Sequence, residues 1–451
     1  MINRYFTRAL CLLAFTVPGQ AQLLGDDILA IDNMDLFTLP IEGPEFELEA
    51  PTQDNINTPV AQYVTGADAL LDEIPDANEL VTSLGKIEVV DKTNTPVLTE
   101  VHLQHGWRAL QQEWLLLLSA DQMVQLRSFP ISVISETDLP QLEMFTARIR
   151  VSDRDDNLNT LQALLAPLGA EILERHHVYD VQAAKPQLKY ATEQTRAGKA
   201  AINIEPHETL SIGIIDTAID LKHASLVHSN LQIKSFVAPA MIQPIAHATA
   251  VLGRLVGKGE SIDPLLPDAK VYAASVFYKK DAYSQSASTL ALLQALEWML
   301  AQQVTVINMS LAGPPNALLE KALHRVRSQG IAVVAAAGNA GPASRPLFPA
   351  AYDSVIAVSA VDKNKHIYRW ANRGKHIDFV AHGVNVTTLR AGGGEGNESG
   401  TSMAAPVISA ILALHMQTQG LEESLTYLRK LSEDLGDVGR DVIYGDGFIA
   451  P

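Results

Sequence analysis

Four polar residues stand at the borders of apolar segments, and their types could support nucleophilic catalysis. Asp216 ends the run "SIGII", His247 lies in "AHATAVLG", Asn339 follows "IAVVAAAG", and Ser402 lies in "GTSMAAP". Together they could supply an acid, a base, an amide donor and a hydroxyl nucleophile. Each also has an ordinary structural explanation: a strand-end turn, a packed histidine, a turn former, and a helix N-cap at Thr401 or Ser402. The elements around them must decide between these interpretations.

The segment that contains these residues predicts a parallel sheet covered by helices. From Ile202 onward, short apolar runs alternate with helical patterns, which is typical of strands that are buried on both faces. The predicted strands are "LSIGIID", "KVYAASVF", "VTVINMSL", "IAVVAAAG" and "VIAVSAV", and the predicted helices include "STLALLQALEWMLAQQ" and "NALLEKALHRVRSQG". The fold class is therefore doubly wound α/β, in which chemistry gathers beyond the carboxyl ends of the strands.

Six motifs in this region give the chain a family resemblance. They are "IGIIDTAID", "HATAVLG", "ALEWMLAQQVTVINMSLAGP", "VVAAAGNAG", "FPAAYDSVIAVSAVD" and "GTSMAAPVISA". Their order resembles that of the subtilisin-like serine proteases. The resemblance covers residues 205–451 and includes the closing segment "DLGDVGRDVIYGDGFI". It implies a subtilisin-like doubly wound parallel sheet with helices on both faces.

The resemblance also implies a role for each of the four residues. Ser402 would attack the scissile carbonyl, His247 would accept and return the proton, and Asp216 would orient the imidazole. The Asn339 side-chain amide and the Ser402 backbone N–H would form the oxyanion hole. The implied reaction is hydrolysis of peptide bonds, which requires no cofactor. Two alternatives stay open: an acyl transferase with the same fold, and a protease-like binding protein without turnover.

The same resemblance implies a narrow pocket for the substrate residue before the scissile bond. Ala312 replaces a glycine in the pocket wall, and Leu347 would project into the pocket base. A leucine side chain there excludes large substrate residues sterically, so a preference for Ala or Gly is expected. The implied substrate-binding residues are Ser310, Leu311, Ala312, Gly313, Ala336, Ala337, Gly338 and Leu347.

No metal ligand is predicted, and structural calcium is left open. Ser225 stands where many family members have a calcium-ligating aspartate. Ala248 and Ala250 replace a common glycine and histidine near His247. The adjacent histidines at 176 and 177 predict no site, because neighbours on a strand point to opposite faces.

The first residues predict an exported protein. Arg4 and Arg8 precede the apolar run "ALCLLAFTV", and the small residues Gly19 and Ala21 follow it, as in a signal peptide. The single cysteine, Cys11, lies in this run, so disulfides and cysteine nucleophiles are excluded from the mature chain. No later segment is apolar enough to span a membrane. The expected location is secreted or periplasmic.

The chain divides into five predicted regions. They are a signal peptide (1–21), an acidic flexible segment (22–84), a small α/β domain (85–181), an exposed linker (182–204) and the catalytic domain (205–451). The acidic segment has 14 Asp or Glu and no Lys or Arg between Gln22 and Leu80, which favours a solvated chain.

The small α/β domain resembles the family's prosegments, which assist folding and then occupy the cleft. Its position before the catalytic domain and the exposed linker after it support this interpretation. Self-processing is expected in the linker after Gly198, Ala200 or Ala201. A permanent accessory domain is the alternative.

The chain length limits the number of domains, and the net charge limits the classes of partner. The 451 residues are enough for two or three domains. A formal net charge of -17 argues against nucleic acid, since binding to phosphates needs basic patches. The expected partners are polypeptide substrates and the chain's own prosegment, and the expected state is a monomer.

Overall fold

A computed structural model describes residues 85–103, 106–181, 210–281 and 284–450. The predicted signal peptide, acidic segment, linker and processing positions lie outside the described residues. Among the described residues, no helix is long and apolar enough to cross a membrane.

The described residues up to 181 form antiparallel strands with two short helices. The elements are β1 (Lys86–Val90), β2 (Pro96–His102), β3 (Arg108–Leu117), α1 (Ala120–Leu126), β4 (Ser132–Leu139), β5 (Met144–Arg150), α2 (Leu158–Leu165) and β6 (Ile172–Val181). Helix α1 begins with a capping box between Ser119 and Gln122. Trp114, Leu116 and Leu161 lie in the core between the sheet and the helices.

The residues from 210 onward form alternating strands and helices. The elements are β7 (Ser211–Asp216), β8 (Asn230–Ser235), α3 (Ala246–Leu255), β9 (Lys270–Ser275), β10 (Phe277–Lys279), β11 (Gln285–Ser288), α4 (Thr289–Ala301), β12 (Val306–Met309), β13 (Leu311–Ala312), α5 (Ala317–Ser328), β14 (Ala332–Ala336), β15 (Ile356–Val361), β16 (Ile377–His382), β17 (Val386–Leu389), β18 (Glu395–Glu398), α6 (Thr401–His415), α7 (Leu421–Leu431) and β19 (Phe448–Ile449). Helix α5 begins at an Asn316 cap, whose side chain accepts a hydrogen bond from the Leu319 N–H.

Eight of these strands form the central parallel sheet, in the order β19-β16-β15-β14-β12-β7-β9-β8. Every pairing in this sheet is parallel. Residues of α3, α6 and α7 form the core on one face, and residues of α4 and α5 form the core on the other. The predicted doubly wound fold is therefore confirmed.

Strand β6 joins the two parts of the chain in a second sheet. It pairs with β3 on the N-terminal side and with β11 and β13 on the C-terminal side, all antiparallel. Val181 lies opposite Leu311, and Tyr179 lies opposite Ala287. The end of β6 therefore lies between two strands of the C-terminal part.

Candidate active site

Strand β7 and helix α3 bring Asp216 and His247 together. Asp216 is the last residue of its strand, and His247 is the second residue of its helix. The His247 Nδ1 lies 2.8 Å from Asp216 Oδ1 and 2.9 Å from Oδ2. Asp216 is 1% exposed and His247 is 9% exposed. A buried carboxylate in this position holds one imidazole tautomer and stabilises its protonated form.

Ser402 lies in the first turn of α6, which packs against α3. The N-cap is Gly400, with a φ of 152°, and no side chain caps this helix. The sequence-based alternative of an N-cap at Thr401 or Ser402 is therefore wrong. The Gly400 N–H donates to the Gly383 carbonyl at 2.8 Å, which fixes the start of the helix. Ser402 thus lies at the positive end of the helix dipole without serving as its cap.

Thr401 holds the side chain of Asn339, a contact that the sequence did not reveal. The Asn339 Oδ1 accepts hydrogen bonds from the Thr401 N–H and from the Thr401 hydroxyl, both at 3.1 Å. The same hydroxyl accepts from the Gly338 N–H at 3.2 Å. Because Oδ1 is engaged by Thr401, the amide nitrogen of Asn339 is directed away from it. This amide can serve as a fixed donor.

Glu398 is a charged neighbour of this site that sequence reasoning also missed. It ends β18, four residues before Ser402. Burial raises the pKa of Glu398, whereas Arg390 and His247 act in the opposite direction. The position of Glu398 just before the "GTSMAAP" motif is the sequence signal that could have indicated it.

Comparison with known proteins identifies the family. The model of the Subtilase family matches residues 207–427. Subtilisin Savinase from Lederbergia lenta is 32% identical over 248 residues, which are 53% of this chain and 88% of that protein. The chain belongs to the subtilase family. The Minor extracellular protease Epr of Bacillus subtilis is 34% identical over 209 residues, which are 45% of this chain but only 32% of that protein.

A solved structure shares the fold of this subtilase over most of the chain. Fervidolysin from Fervidobacterium pennivorans, described as a keratinolytic enzyme related to subtilisin, matches with a TM-score of 0.62 and 17% identity. The match covers 81% of this chain and 62% of that structure. At this identity the likeness concerns the fold alone.

The residues implied for substrate binding in this subtilase lie on β13, at the end of β14 and in the loop after it. Ser310 is fully buried, and its hydroxyl accepts a hydrogen bond from the Asn308 amide at 2.9 Å. Leu311 and Ala312 form β13, and Ala336 and Ala337 are fully buried at the end of β14.

Leu347 lies against the segment that ends β14. A Cβ placed on Gly338 would lie 2.7 Å from the Leu347 Cδ1, and Gly338 has a φ of 112°. The side chain of Leu347 therefore contacts the "AAGN" segment, and only glycine fits opposite it. Leu347 itself remains partly exposed.

Residues of β6 lie between β11 and β13. The Tyr179 side chain is fully buried, and a Cβ on Gly313 would lie 2.4 Å from its ring. Gly313 is thus required by the close approach of an aromatic side chain. Asp180, the next residue, lies opposite both Ser286 and Ala312.

Among the described residues, no group of three His, Cys, Asp or Glu side chains is arranged to hold a metal ion. The backbone carbonyl of Ser225 accepts a hydrogen bond from the Lys258 N–H at 3.2 Å. His176 and His177 lie apart, as neighbours on a strand do: His176 faces Glu113, and His177 faces Asn316.

Proposed function

We propose that this chain is an exported serine endopeptidase, made as a self-processing zymogen. The observation that carries the proposal is the buried pair of His247 and Asp216, with Nδ1 at 2.8 Å from the carboxylate. The family and the placement of Ser402 in the first turn of α6 support it. Export rests on the signal-peptide pattern of residues 1–21.

The proposed chemistry is acyl transfer to water through Ser402. A serine hydroxyl is a weak nucleophile at neutral pH, so His247 takes its proton during attack and returns it to the leaving amine. Asp216 stabilises the imidazolium that forms in between. The Asn339 amide and the Ser402 N–H stabilise the oxyanion, and loss of one such donor costs about 3 kcal/mol of transition-state stabilisation.

The proposed substrate is a polypeptide bound as an extended strand. Strand β6 supports this, because residues 178–181 pair with β11 and β13 in the manner open to any extended peptide. A small residue, Ala or Gly, is proposed before the cut bond. The contact between Leu347 and Gly338 supports a narrowed pocket there.

The proposed prosegment is the region 85–181, held on the catalytic domain by helix-terminus contacts and a buried apolar surface. The Glu174 carboxylate accepts from the Ala317 N–H at the start of α5. In the other direction, Glu297 of α4 accepts from the N–H groups of Gln141 and Leu142 at 2.9 and 3.0 Å. Leu115, Leu117, Leu139, Leu142, Met144 and Tyr179 share a core with α4 and α5.

The decisive experiment is casein hydrolysis by purified wild type, with Ser402→Ala as the inactive variant and the exposed Ser328→Ala as the matched control. We expect turnover in wild type and Ser328→Ala only. A wild type without turnover would point to a protease-like binding protein. Product that carries an added amine instead of a new carboxylate would point to an acyl transferase.

Self-processing is tested by expressing the full chain. We expect wild type to shorten to a mature form and Ser402→Ala to keep its full length after export. If Ser402→Ala is trimmed to the same size without added protease, the proposal of self-processing is wrong. N-terminal sequencing of the mature form then decides between Gly198, Ala200 and Ala201 as the processing positions.

A further inference from the structure

Asn339, the proposed oxyanion donor, lies in a turn whose own sequence determines its backbone only loosely. The turn runs from Gly338 to Gly341, between the end of β14 and the segment that carries Leu347. Both glycines have a positive φ, of 112° and 110°, a region that glycine enters without steric cost. The residues between them therefore need hydrogen bonds from elsewhere in the chain to keep one position.

Asn372, in the segment between β15 and β16, makes hydrogen bonds to both neighbours of Asn339. Its N–H donates to the Gly338 carbonyl at 3.0 Å, and its Oδ1 accepts from the Ala340 N–H at 2.9 Å. The first bond joins two backbone groups, so any residue except proline could form it. The second bond depends on the asparagine side chain. Asn372 therefore holds the turn immediately before and immediately after Asn339.

The side-chain amide of Asn372 is fixed in one orientation. Its Nδ2 donates to the Arg345 carbonyl at 3.1 Å, while its Oδ1 accepts from the Ala340 N–H. Because a carbonyl can only accept and an N–H can only donate, a rotated amide would lose both bonds. Asn372 is fully buried, so the groups that it satisfies would be costly to leave unpaired. The side chain therefore has one favourable arrangement, and that arrangement fixes Ala340.

We infer that Asn372 is a positioning residue for Asn339. The inference rests on the proposed function, because it assumes that the Asn339 amide stabilises an oxyanion. Thr401 engages the side chain of Asn339, whereas Asn372 holds the backbone on either side, so the two residues act at different atoms. A donor stabilises the oxyanion fully only when it is held where the charge develops. Loosening the turn therefore weakens binding of the transition state more than binding of the substrate.

The test compares steady-state kinetics of wild type, Asn372→Leu and Asn339→Ala on a peptide with Ala before the cut bond. Leucine keeps the branched shape of asparagine but has no donor or acceptor. We expect kcat to fall by about tenfold to a hundredfold in Asn372→Leu, with KM changed by less than about threefold, and to fall further in Asn339→Ala. In the double variant, Asn372→Leu should add little to the loss caused by Asn339→Ala.

A peptide aldehyde separates positioning from a general loss of structure. In its adduct, the Ser402 Oγ bonds to the aldehyde carbon, the C=O double bond becomes a single bond, and the serine proton passes to His247. The oxygen left with the negative charge faces the same donors as the oxyanion of the reaction. The inhibition constant of acetyl-Ala-Ala-Ala aldehyde should therefore rise in Asn372→Leu by about the factor by which kcat/KM falls.

The matched control is Ser424→Ala, which removes another buried side-chain hydrogen bond outside the candidate site. The Ser424 hydroxyl is fully buried and donates to the Gly420 carbonyl at 2.8 Å. This variant should lower the midpoint of urea unfolding, measured in the Ser402→Ala background, without changing kcat or the inhibition constant. Asn372→Ser is the second variant in case Asn372→Leu fails to fold. Its shorter side chain leaves room for water, and its kcat should fall in the same way.

The outcomes distinguish this inference from the proposed function. Wild type without turnover, or Asn339→Ala with wild-type kcat, would contradict the proposed function, and the inference would fall with it. If Asn339→Ala lowers kcat but the folded Asn372 variants keep it, the proposed function stands and the inference is wrong. Full additivity in the double variant, or an unchanged inhibition constant with a lowered kcat, would also overturn the inference.

Discussion

At the scale of single residues, Thr401 shows how a neighbour of the proposed nucleophile can position Asn339, the proposed oxyanion donor. Its hydroxyl donates to Asn339 Oδ1 and accepts from the Gly338 N–H, and the side chain is fully buried. Thr401→Val keeps the shape but removes both hydrogen bonds. We expect kcat to fall by about tenfold to a hundredfold with little change in KM, less than the loss in Asn339→Ala.

The conservative variant Thr401→Ser serves as the control, since it keeps the hydroxyl and should retain most of the activity. If Thr401 acts through Asn339, the effects of Thr401→Val and Asn339→Ala will not add in the double variant. Full additivity in steady-state kinetics would show that the threonine acts independently of the asparagine.

Leu347 offers a second residue-scale prediction, on specificity. Because its side chain contacts Gly338, Leu347→Gly should widen the proposed pocket and raise kcat/KM for peptides with Phe or Leu before the cut bond. Peptides with Ala there should lose no more than about 10- to 200-fold in kcat/KM, since a missing methylene contact costs about 1 to 3 kcal/mol. A peptide library varied at that position measures both. A wild type that already prefers Phe or Leu, with no change in Leu347→Gly, would show that the side chain does not close the pocket.

Sequence reasoning named Asp216, His247, Asn339 and Ser402 because each interrupts an apolar pattern with a polar residue and lies within a recognised motif. It could not assign Thr401, since a hydroxyl next to Ser402 has the same sequence pattern whether it caps a helix or holds another side chain. For a similar reason, the observed N-cap of α6 lies one or two residues before the cap that the sequence suggested at Thr401 or Ser402. Gly400, the N-cap of α6, is held by a backbone hydrogen bond to Gly383, which is distant in sequence.

At the scale of elements, strands that are buried on both faces were found from the sequence, whereas short or exposed strands were not. Strands β7, β9, β12, β14 and β15 of the central sheet are almost entirely buried, so their continuous apolar runs were found. Strand β2 begins with a proline and is half-exposed, and β10 and β11 are only three and four residues long, so their patterns are weak. The pairing of Val181 with Leu311 joins segments far apart in the chain and has no local signal.

Strand β6 carries a prediction at this scale, because it buries a large aromatic side chain against the C-terminal part of the chain. Tyr179 is fully buried against Gly313, and truncating a large buried aromatic residue costs about 3 to 5 kcal/mol. In Tyr179→Ala, the proposed prosegment should dissociate sooner after cleavage, so activity should appear earlier. Continuous peptide hydrolysis measures the lag, and Val97→Ala, which removes an exposed side chain of β2, is the control. An unchanged lag in Tyr179→Ala would show that this side chain does not retain the prosegment.

At the scale of the whole molecule, the contact between the region 85–181 and the catalytic domain should depend on pH through His177. Its ring Nδ1 lies 3.2 Å from the amide nitrogen of Asn316, the cap of α5. Burial, then the charges of Arg175 and His176, lower the pKa of His177 from 6.5 to about 4. The unfolded chain therefore binds more protons than the folded one between these values. The contribution of His177 to the stability of the folded chain is fully present above pH 6.5 and is lost as the pH drops towards 4.

From this histidine alone, we expect the free energy of unfolding to be on the order of 1 kcal/mol lower at pH 5.5 than at pH 7.5. Urea unfolding of the full Ser402→Ala chain, followed by tryptophan fluorescence, measures it as a lower midpoint at the lower pH. His177→Asn keeps an oxygen near Asn316 but cannot take up a proton, so its midpoint should fall less over the same range. Glu174 acts in the opposite direction, because burial raises its pKa and protonation relieves the cost of a buried charge. An acid dependence of equal size in His177→Asn and in the parent chain would assign the effect to other groups, and His177 would then have no part in it.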